Sequence, residues 1–416
     1  MSVQSGVTRR RFQARGWLSP PFLAVAAGFF STPSMSQDEE KPQSTIDLYG
    51  FAMLDMGYQK NQNDPDWFDV LRPTKLPAFE NQFGGDGHFF AGVRQTRFGV
   101  KGNTQTSMGE VKTIFEFELF GTGVDAGQTT FRLRHAYGEL GHWGAGQTWS
   151  PFMDIDVFPN SIEYWGPNGM AFFRNVQLRW MPIQGDTRLT IALERPGASA
   201  DQGEFEERIS LQNVRGRFPY PDLSAEFRYG GESWGYVEIA GIVRYMKWED
   251  NTPDLIDLSG SETGWGVNLS SNLKFGKMVL KLQALYGEGI QNYMNDAPQD
   301  VGVRTNPGNI TRPIVGEALP VLGLVAFLDV NWSERMTSTI GYSLVDIDNS
   351  NGQSPDAFKR GDYALANVLF YPATNVMFGP EIQWGRRENF RDGFTSDDLR
   401  FQFSVKYNFS RTFGGG

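Results

Sequence analysis

From Ile46 to Phe409 the chain alternates apolar and polar positions with a period of two, in about sixteen segments of roughly 8–14 residues. In the final segment Leu399, Phe401, Phe403, Val405, Tyr407 and Phe409 alternate with Arg400, Gln402, Ser404, Lys406 and Asn408. Earlier segments set Phe131, Leu133 and Tyr137 against Arg132 and Arg134. They also set Leu189, Ile191 and Leu193 against Arg188, Thr190 and Glu194, and Leu223, Ala225, Phe227 and Tyr229 against Ser224, Glu226 and Arg228. A strand sends successive side chains to opposite faces, so each segment is two-sided. The connections are sorted by length. Tight ones lie at Gly102–Met108, Gly141–His142, Ile183–Asp186, Gly230–Ser233, Phe275–Lys277, Asn331–Arg335 and Tyr371–Ala373. Long ones lie at Asn61–Gly87, Pro151–Phe173, Arg195–Tyr220, Lys247–Ser261, Gly287–Pro320, Val345–Gly361 and Gly385–Ser396, with the short Gly121–Gly127 second on that side. Short turns at one rim and long loops at the other predict an all-β fold: a 16-stranded antiparallel transmembrane β-barrel with periplasmic turns and extracellular loops.

A soluble sandwich also alternates, so the facing needs a second argument. Tyr and Trp recur near strand ends, among them Tyr58, Tyr137, Trp143, Trp180, Tyr229, Trp265, Tyr286, Trp332 and Tyr407. Such girdles belong at the two interfaces of a bilayer. No crossover helices are evident to cover so large a sheet. With lipid outside, the polar face lines the lumen, and closure leaves no backbone edge in hydrocarbon. Sixteen strands leave an aqueous channel rather than a packed interior.

No run of about 18 apolar residues occurs, so no helix spans a membrane. Near the start, Arg9–Arg11 and Arg15 precede the apolar Trp17–Phe30 and the small residues around Ser34 and Ser36. That order predicts a signal peptide over 1–36, then a periplasmic linker over 37–45, the barrel over 46–409 and a tail over 410–416. The chain has no Cys, which fits an oxidising compartment without disulfides, and its net charge of −10 argues against a nucleic-acid partner. His88, His135 and His142 have no metal-ligand spacing, and no nucleophile motif or phosphate loop is present, so neither cofactor nor metal is expected.

The charges carry the functional reading. The inward face leans basic although the whole chain is acidic. It holds Arg97, Lys101, Lys112, Arg132, Arg134, Arg179, Arg188, Arg228, Arg244, Lys281, Arg400 and Lys406 against Asp47, Asp55, Glu116, Glu118, Glu194, Glu226, Glu238, Asp329 and Glu381. Arg97, Arg132, Arg134, Arg179 and Arg188 come from near-neighbouring strands and form a positive ladder. Guanidinium pairs with carboxylate through a planar fork, and rings of Arg make a pore prefer anions. Pairing with Glu116, Glu118, Asp47 and Glu226 is the structural alternative. Arg94 and Arg97 differ in parity, which places a bulge or strand end at one of them. The loop Pro151–Phe173 is too apolar for an exposed loop, with Phe152, Asp154, Asp156, Phe158, Glu163, Tyr164 and Trp165. Folded into the lumen it forms a constriction. Arg at Phe403 is expected to be rejected where Arg at Gln402 is tolerated.

These residues resemble a known family, the DcaP-like porins of Gram-negative outer membranes. The matching stretches are Tyr49-Gly50-Phe51, Arg97-Phe98-Gly99-Val100-Lys101-Gly102, Gly146-Gln147-Thr148-Trp149-Ser150-Pro151-Phe152 and Phe173-Arg174-Asn175. The resemblance implies a sixteen-stranded homotrimer in the outer membrane that passes small anionic solutes such as dicarboxylates, with the Arg-lined face as selectivity element. Members carry a helical extension before the barrel, for which Gln37–Thr45 is too short. Two other functions compete. One is a barrel enzyme, for which Ser150 near His142 is the only pair worth checking; the other is a plugged structural or adhesion barrel.

Overall fold

A computed structural model describes residues 44–208 and 211–415. The signal segment and all but the end of the 37–45 linker lie outside the described residues. Sixteen wall strands follow in chain order. β1 is Ser44–Gln59, and β2 comes in two pieces, His88–Gly92 and Arg97–Thr106. β3 is Gly109–Phe120, β4 Thr129–Leu140, β5 Trp143–Trp149, β6 Arg174–Ile183 and β7 Arg188–Glu194. β8 also has two pieces, Val214–Gly216 and Asp222–Gly231. β9 is Gly235–Asp250, β10 Gly260–Phe275, β11 Met278–Glu288, β12 Pro320–Ser333 and β13 Met336–Ile347. β14 is Phe358–Ala373, β15 Val376–Asn389 and β16 Thr395–Gly414. Each pairs antiparallel with its neighbours, and β16 returns to β1 from Gln59↔Arg400 to Thr45↔Gly414. The sheet is therefore a closed barrel. The long connections, numbered L1 to L8 in order, share one rim; L3 covers 150–173 and L6 covers 289–319. L6 carries its own hairpin, Val301–Thr305 with Ile314–Ala318.

The wall faces as the alternation requires. Phe131 is 81% exposed to the outside, and Phe401, Tyr407 and Phe409 are exposed as well. Arg400, Gln402 and Ser404 are buried inside. Two expectations need correction. β16 does not stop at Phe409: Phe413 pairs with Ile46, and Thr412 Oγ1 donates to Asp47 at 2.6 Å, so 410–414 is wall rather than tail. Tyr137 faces inward. The β3–β4 register jumps from Glu116↔His135 to Phe117↔Leu133, so Arg134 is an extra residue and both Arg134 and His135 point into the lumen. The slip exchanges the two faces of β4 below it.

The inner wall has two characters. From β3 to β9 it carries charges. From β11 to β14 it carries Leu285, Val321, Val325, Phe327, Val345, Ile347 and Leu365, all buried in one apolar cluster with Phe152, Met153, Val157 and Met170 of L3. L3 therefore folds into the barrel because its apolar side chains and this sector remove each other from water. The approach is close enough to need glycine. A Cβ on Gly323 of β12 would lie 2.2 Å from the Gly169 carbonyl, and one on Gly169 would lie 2.0 Å from the Leu344 carbonyl. Opposite β12, polar groups hold the loop. Arg228 of β8 pairs with Asp154 at 2.7 Å and Asp156 at 2.6 Å, and Tyr236 and Ser270 donate to the other Asp154 oxygen.

Candidate pore constriction

β2, β3 and β4 set Arg97, Glu116, Glu118, Arg132 and Arg134 side by side where L3 leaves the wall. Glu118 is 1% exposed and is the centre of the group. Arg134 donates to it at 2.5 Å and to Glu116 at 2.6 Å. Arg97 reaches Glu118 at 3.4 Å and Glu116 at 3.6 Å. Arg132 lies 3.6 Å and Arg174 3.7 Å from Glu118 Oε1. Tyr164 of L3 donates its hydroxyl to the same oxygen and stacks on Phe120, with ring centroids 3.8 Å apart. Tyr49 donates to Glu116 at 2.7 Å, its ring occupying the space that Gly99 leaves open.

Four guanidinium groups thus share two carboxylates, a local balance of +2 (four positive charges less two negative). The carboxylates are covered, whereas the side chains of Arg97 and Arg132 remain 25% and 31% exposed to the lumen. The buried acids offset the mutual repulsion of the arginines and hold their forks in place, while the exposed edges present donors to solute. Beside this group a cavity of about 350 Å³ is lined by Arg72, Arg132, Arg174, Tyr164, Trp165 and Asn295, among others. Arg72 is neutralised there. It pairs with Asp296 at 2.8 Å and packs against the edge-to-face pair Trp67 and Trp165, 4.2 and 4.0 Å from their ring centroids. Arg174 shares Glu118 with three other arginines, and its buried Nη1 has no hydrogen-bond partner among the described residues.

The remaining inward arginines sort into two groups. Arg188 (32% exposed side chain, with Glu226 and Glu238) sits toward the turn rim. Arg179 bonds Gln177 and the Trp149 carbonyl, and pairs with no acid among the described residues. Lys101 is exposed, with its Nζ 5.0 Å from the Tyr49 ring. Arg134, Arg228, Arg244 and Arg400 do not border open lumen. Arg244 is closed in by Asp222 at 3.1 Å and Asp300 of L6 at 2.9 Å. Arg400 donates to the Asp69 carbonyl of L1 at 2.5 Å. Arg228, Arg244 and Arg400 tie loops to the wall, because inward parity places a side chain inside without saying whether water or a loop lies opposite.

The same holds for the loop acids. Asp154 and Glu163 are 0% and 2% exposed, so neither is a free charge at the pore. Glu163 accepts from the backbone N–H of Leu71 at 3.1 Å and of Gly166, and burial pushes its carboxyl up to about 8. Gln402 donates to the Ile162 carbonyl of L3 at 3.0 Å, so this inward position faces the loop rather than open water. Phe152 is buried under Asn268, and Asp156 is the exposed end of the Arg228 clamp. Arg94 lies in the break of β2, buried against Asp69, Gly121 and Gln128 of L1 and L2. Ser150 and His142 stand at opposite ends of β5. Ser150 donates to Glu194 at 2.6 Å and His142 contacts the Met181 carbonyl, so no hydrolase pair is assembled.

Residues 41–232 match the family model described as DcaP outer membrane protein. The barrel is DcaP-like. Its fold matches the outer membrane channel DcaP of Acinetobacter baumannii with TM-score 0.73 and 22% identity, over 88% of this chain and 98% of that one. OmpT of Vibrio cholerae follows at 0.53 and 11%, over 88% and 98%. The anion-selective porin of Comamonas acidovorans matches at 0.55 and 10%, over 88% and 100%. No curated protein matches the chain in sequence. The DcaP-like barrel is an outer-membrane protein. Arg174, which inward parity missed, lies in the Phe173-Arg174-Asn175 block that carries the resemblance.

Proposed function

We propose that this DcaP-like channel passes small anionic solutes passively, with Arg97, Arg132 and Arg174 as its selectivity element. The observation that carries the reading is the surplus of two positive charges around Glu116 and Glu118, with the acids covered, Arg97 and Arg132 presented, and Arg174 buried beside them. An anion leaving bulk water must exchange hydration for fixed donors, and a guanidinium supplies them in a fork. Arg132 and Arg174 border one cavity from two sides, which suits a solute with two carboxylates, hence dicarboxylates. A neighbour of the same fold is described as anion-selective, which agrees in direction. Another is described in a trimer form, and homotrimeric assembly is part of this proposal. The test is the reversal potential of reconstituted channels in a salt gradient. Arg97→Ala, Arg132→Ala and Arg174→Ala together are expected to abolish anion preference, with the larger shift at low salt because screening limits the field to about 10 Å at 0.1 M. An unchanged reversal potential overturns the proposal.

A further inference from the structure

The aromatic girdles fix the height of the wall against a bilayer, and so fix which charges lie among headgroups. At the turn rim Tyr229 and Trp234 pack together, with ring centroids 6.0 Å apart. At the loop rim Tyr220 and Tyr245 do the same at 5.6 Å. Between these pairs the outward residues of β9 are apolar, with Val237, Ile239 and Val243 exposed. The chain from Trp234 to Tyr245 rises about 26 Å at ~45° tilt. An apolar band is about 25 Å tall, so Tyr245 marks the outer interface.

Above Tyr245 the outward face turns basic. Lys247 and Glu249 continue its parity, about 5 Å and about 10 Å higher. The first piece of β8 runs alongside, with Arg215 opposite Glu249 and the Arg217 N–H donating to the Lys247 carbonyl at 2.7 Å. Arg217 reaches both Glu249 oxygens at 2.9 Å, and Lys247 reaches one at 2.8 Å. Arg215 donates only to the neighbouring Val214 carbonyl, at 2.9 Å. Arg195 follows Leu193 outward at the top of β7, is exposed, and pairs with no acid among the described residues. Four cations therefore meet one acid, a local balance of +3 (four positive charges less one negative). Below them an open cleft of about 450 Å³ leads from Leu178 and Leu193 on the apolar wall up to Arg195 and Tyr220.

These charges face away from the lumen, so a solute in the pore does not meet them. At this height the outward face lies against the headgroups of the outer leaflet, which in a Gram-negative outer membrane belong to a glycolipid with phosphates on its sugars. A guanidinium pairs with phosphate through two parallel hydrogen bonds, and an acyl chain gains by burial in an apolar cleft. We infer that the outer rim of β7–β9 is a binding site for a phosphate-bearing glycolipid of the outer leaflet. Arg195, Arg215, Arg217 and Lys247 take its phosphates, and the cleft between Leu178 and Tyr220 takes an acyl chain. The site is separate from the constriction and does not depend on what the pore passes.

The test is native mass spectrometry of the detergent-solubilised protein titrated with lipid A, with lipid A stripped of its phosphates, and with inorganic phosphate. Arg195→Gln, Arg215→Gln and Arg217→Gln are each expected to weaken lipid A binding by roughly fivefold, the worth of one cation at a charged membrane surface. Arg217→Lys should retain most of the affinity. Lys274→Gln with Lys277→Gln removes two exposed cations at the opposite rim and should change nothing. The single variants carry the test if their combination does not give a heat-modifiable barrel. Parent-like binding by all three single variants, or an equal loss in the turn-rim variant, overturns the site. Equal affinity for the stripped lipid overturns phosphate recognition. Displacement of lipid A by an equal concentration of inorganic phosphate shows a free-anion site and overturns the lipid as its occupant.

Discussion

The inner walls of β3–β4 and of β12–β13 are built from the same strand geometry and do opposite work. On β3–β4 the inward positions include Glu116, Glu118, Arg132 and Arg134, and the acids are covered so that Arg132, with Arg97 of β2, borders the open lumen. On β12–β13 the inward positions are Val321, Val325, Phe327 and Val345, and a loop rather than solute lies on them. The difference teaches that an inward residue acquires its role from what lies across the lumen. The charged sector meets the loop through polar groups such as the Tyr164 hydroxyl on Glu118, and leaves Arg97 and Arg132 partly uncovered. An apolar sector captures the loop and so fixes how far it reaches toward the charged side.

The sharpest way to break this division is to charge the capturing sector. Phe327→Asp places an unpaired carboxylate under L3, and is expected to cost about 5 kcal/mol or more and to prevent a heat-modifiable barrel from forming. Failure of the reverse kind is smaller. Glu118→Ala leaves Arg97, Arg132, Arg134 and Arg174 to share Glu116, and is expected to destabilise by about 3 kcal/mol, read from the urea midpoint of unfolding in lipid. The channel that survives should show stronger anion preference, since the local balance rises by one charge. A parent-like midpoint would show that water, not Glu118, neutralises the cluster.

The smallest effect concerns the seam between the two sectors. Glu163 of L3 is raised from 4.5 to about 8 by burial, with Arg400 opposing and Glu381 adding to the shift. A carboxyl raised in the folded state binds its proton more tightly there. Its contribution is complete below about pH 4.5 and is lost as pH rises through about 8. The thermal midpoint is therefore expected to fall over that range, and Glu163→Gln to flatten the fall. A parent midpoint that is level from pH 5 to 8 would show that the loop seam does not titrate.

The sixteen strands and their facing were legible because alternation with period two and loop sorting are properties of the wall alone. The slip at Arg134–His135 was not, since an extra residue leaves no local mark when both neighbours are polar. The loop seat was partly legible. β12 reads Val321-Leu322-Gly323-Leu324-Val325-Ala326-Phe327, apolar on both faces, whereas β8 and β16 alternate. A wall strand with no polar face needs cover on the lumen side, and that signal points to L3. The roles of Arg244 and Arg400 depend on loops distant in sequence, L6 and L1, which pattern along a strand does not reach.

The pairing of β16 with β1 bears on biogenesis. It is the seam that closes the wall, its partners Asp47 and Thr412 are 365 residues apart, and it is held by the longest strand, at 20 residues. Contacts this remote form late, because the loop they close is nearly the whole barrel. Until they form, β1 and β16 both present open edges able to pair with another chain. A chain cut before Thr395 lacks β16 and cannot close, which leaves β1 and β15 as two live edges.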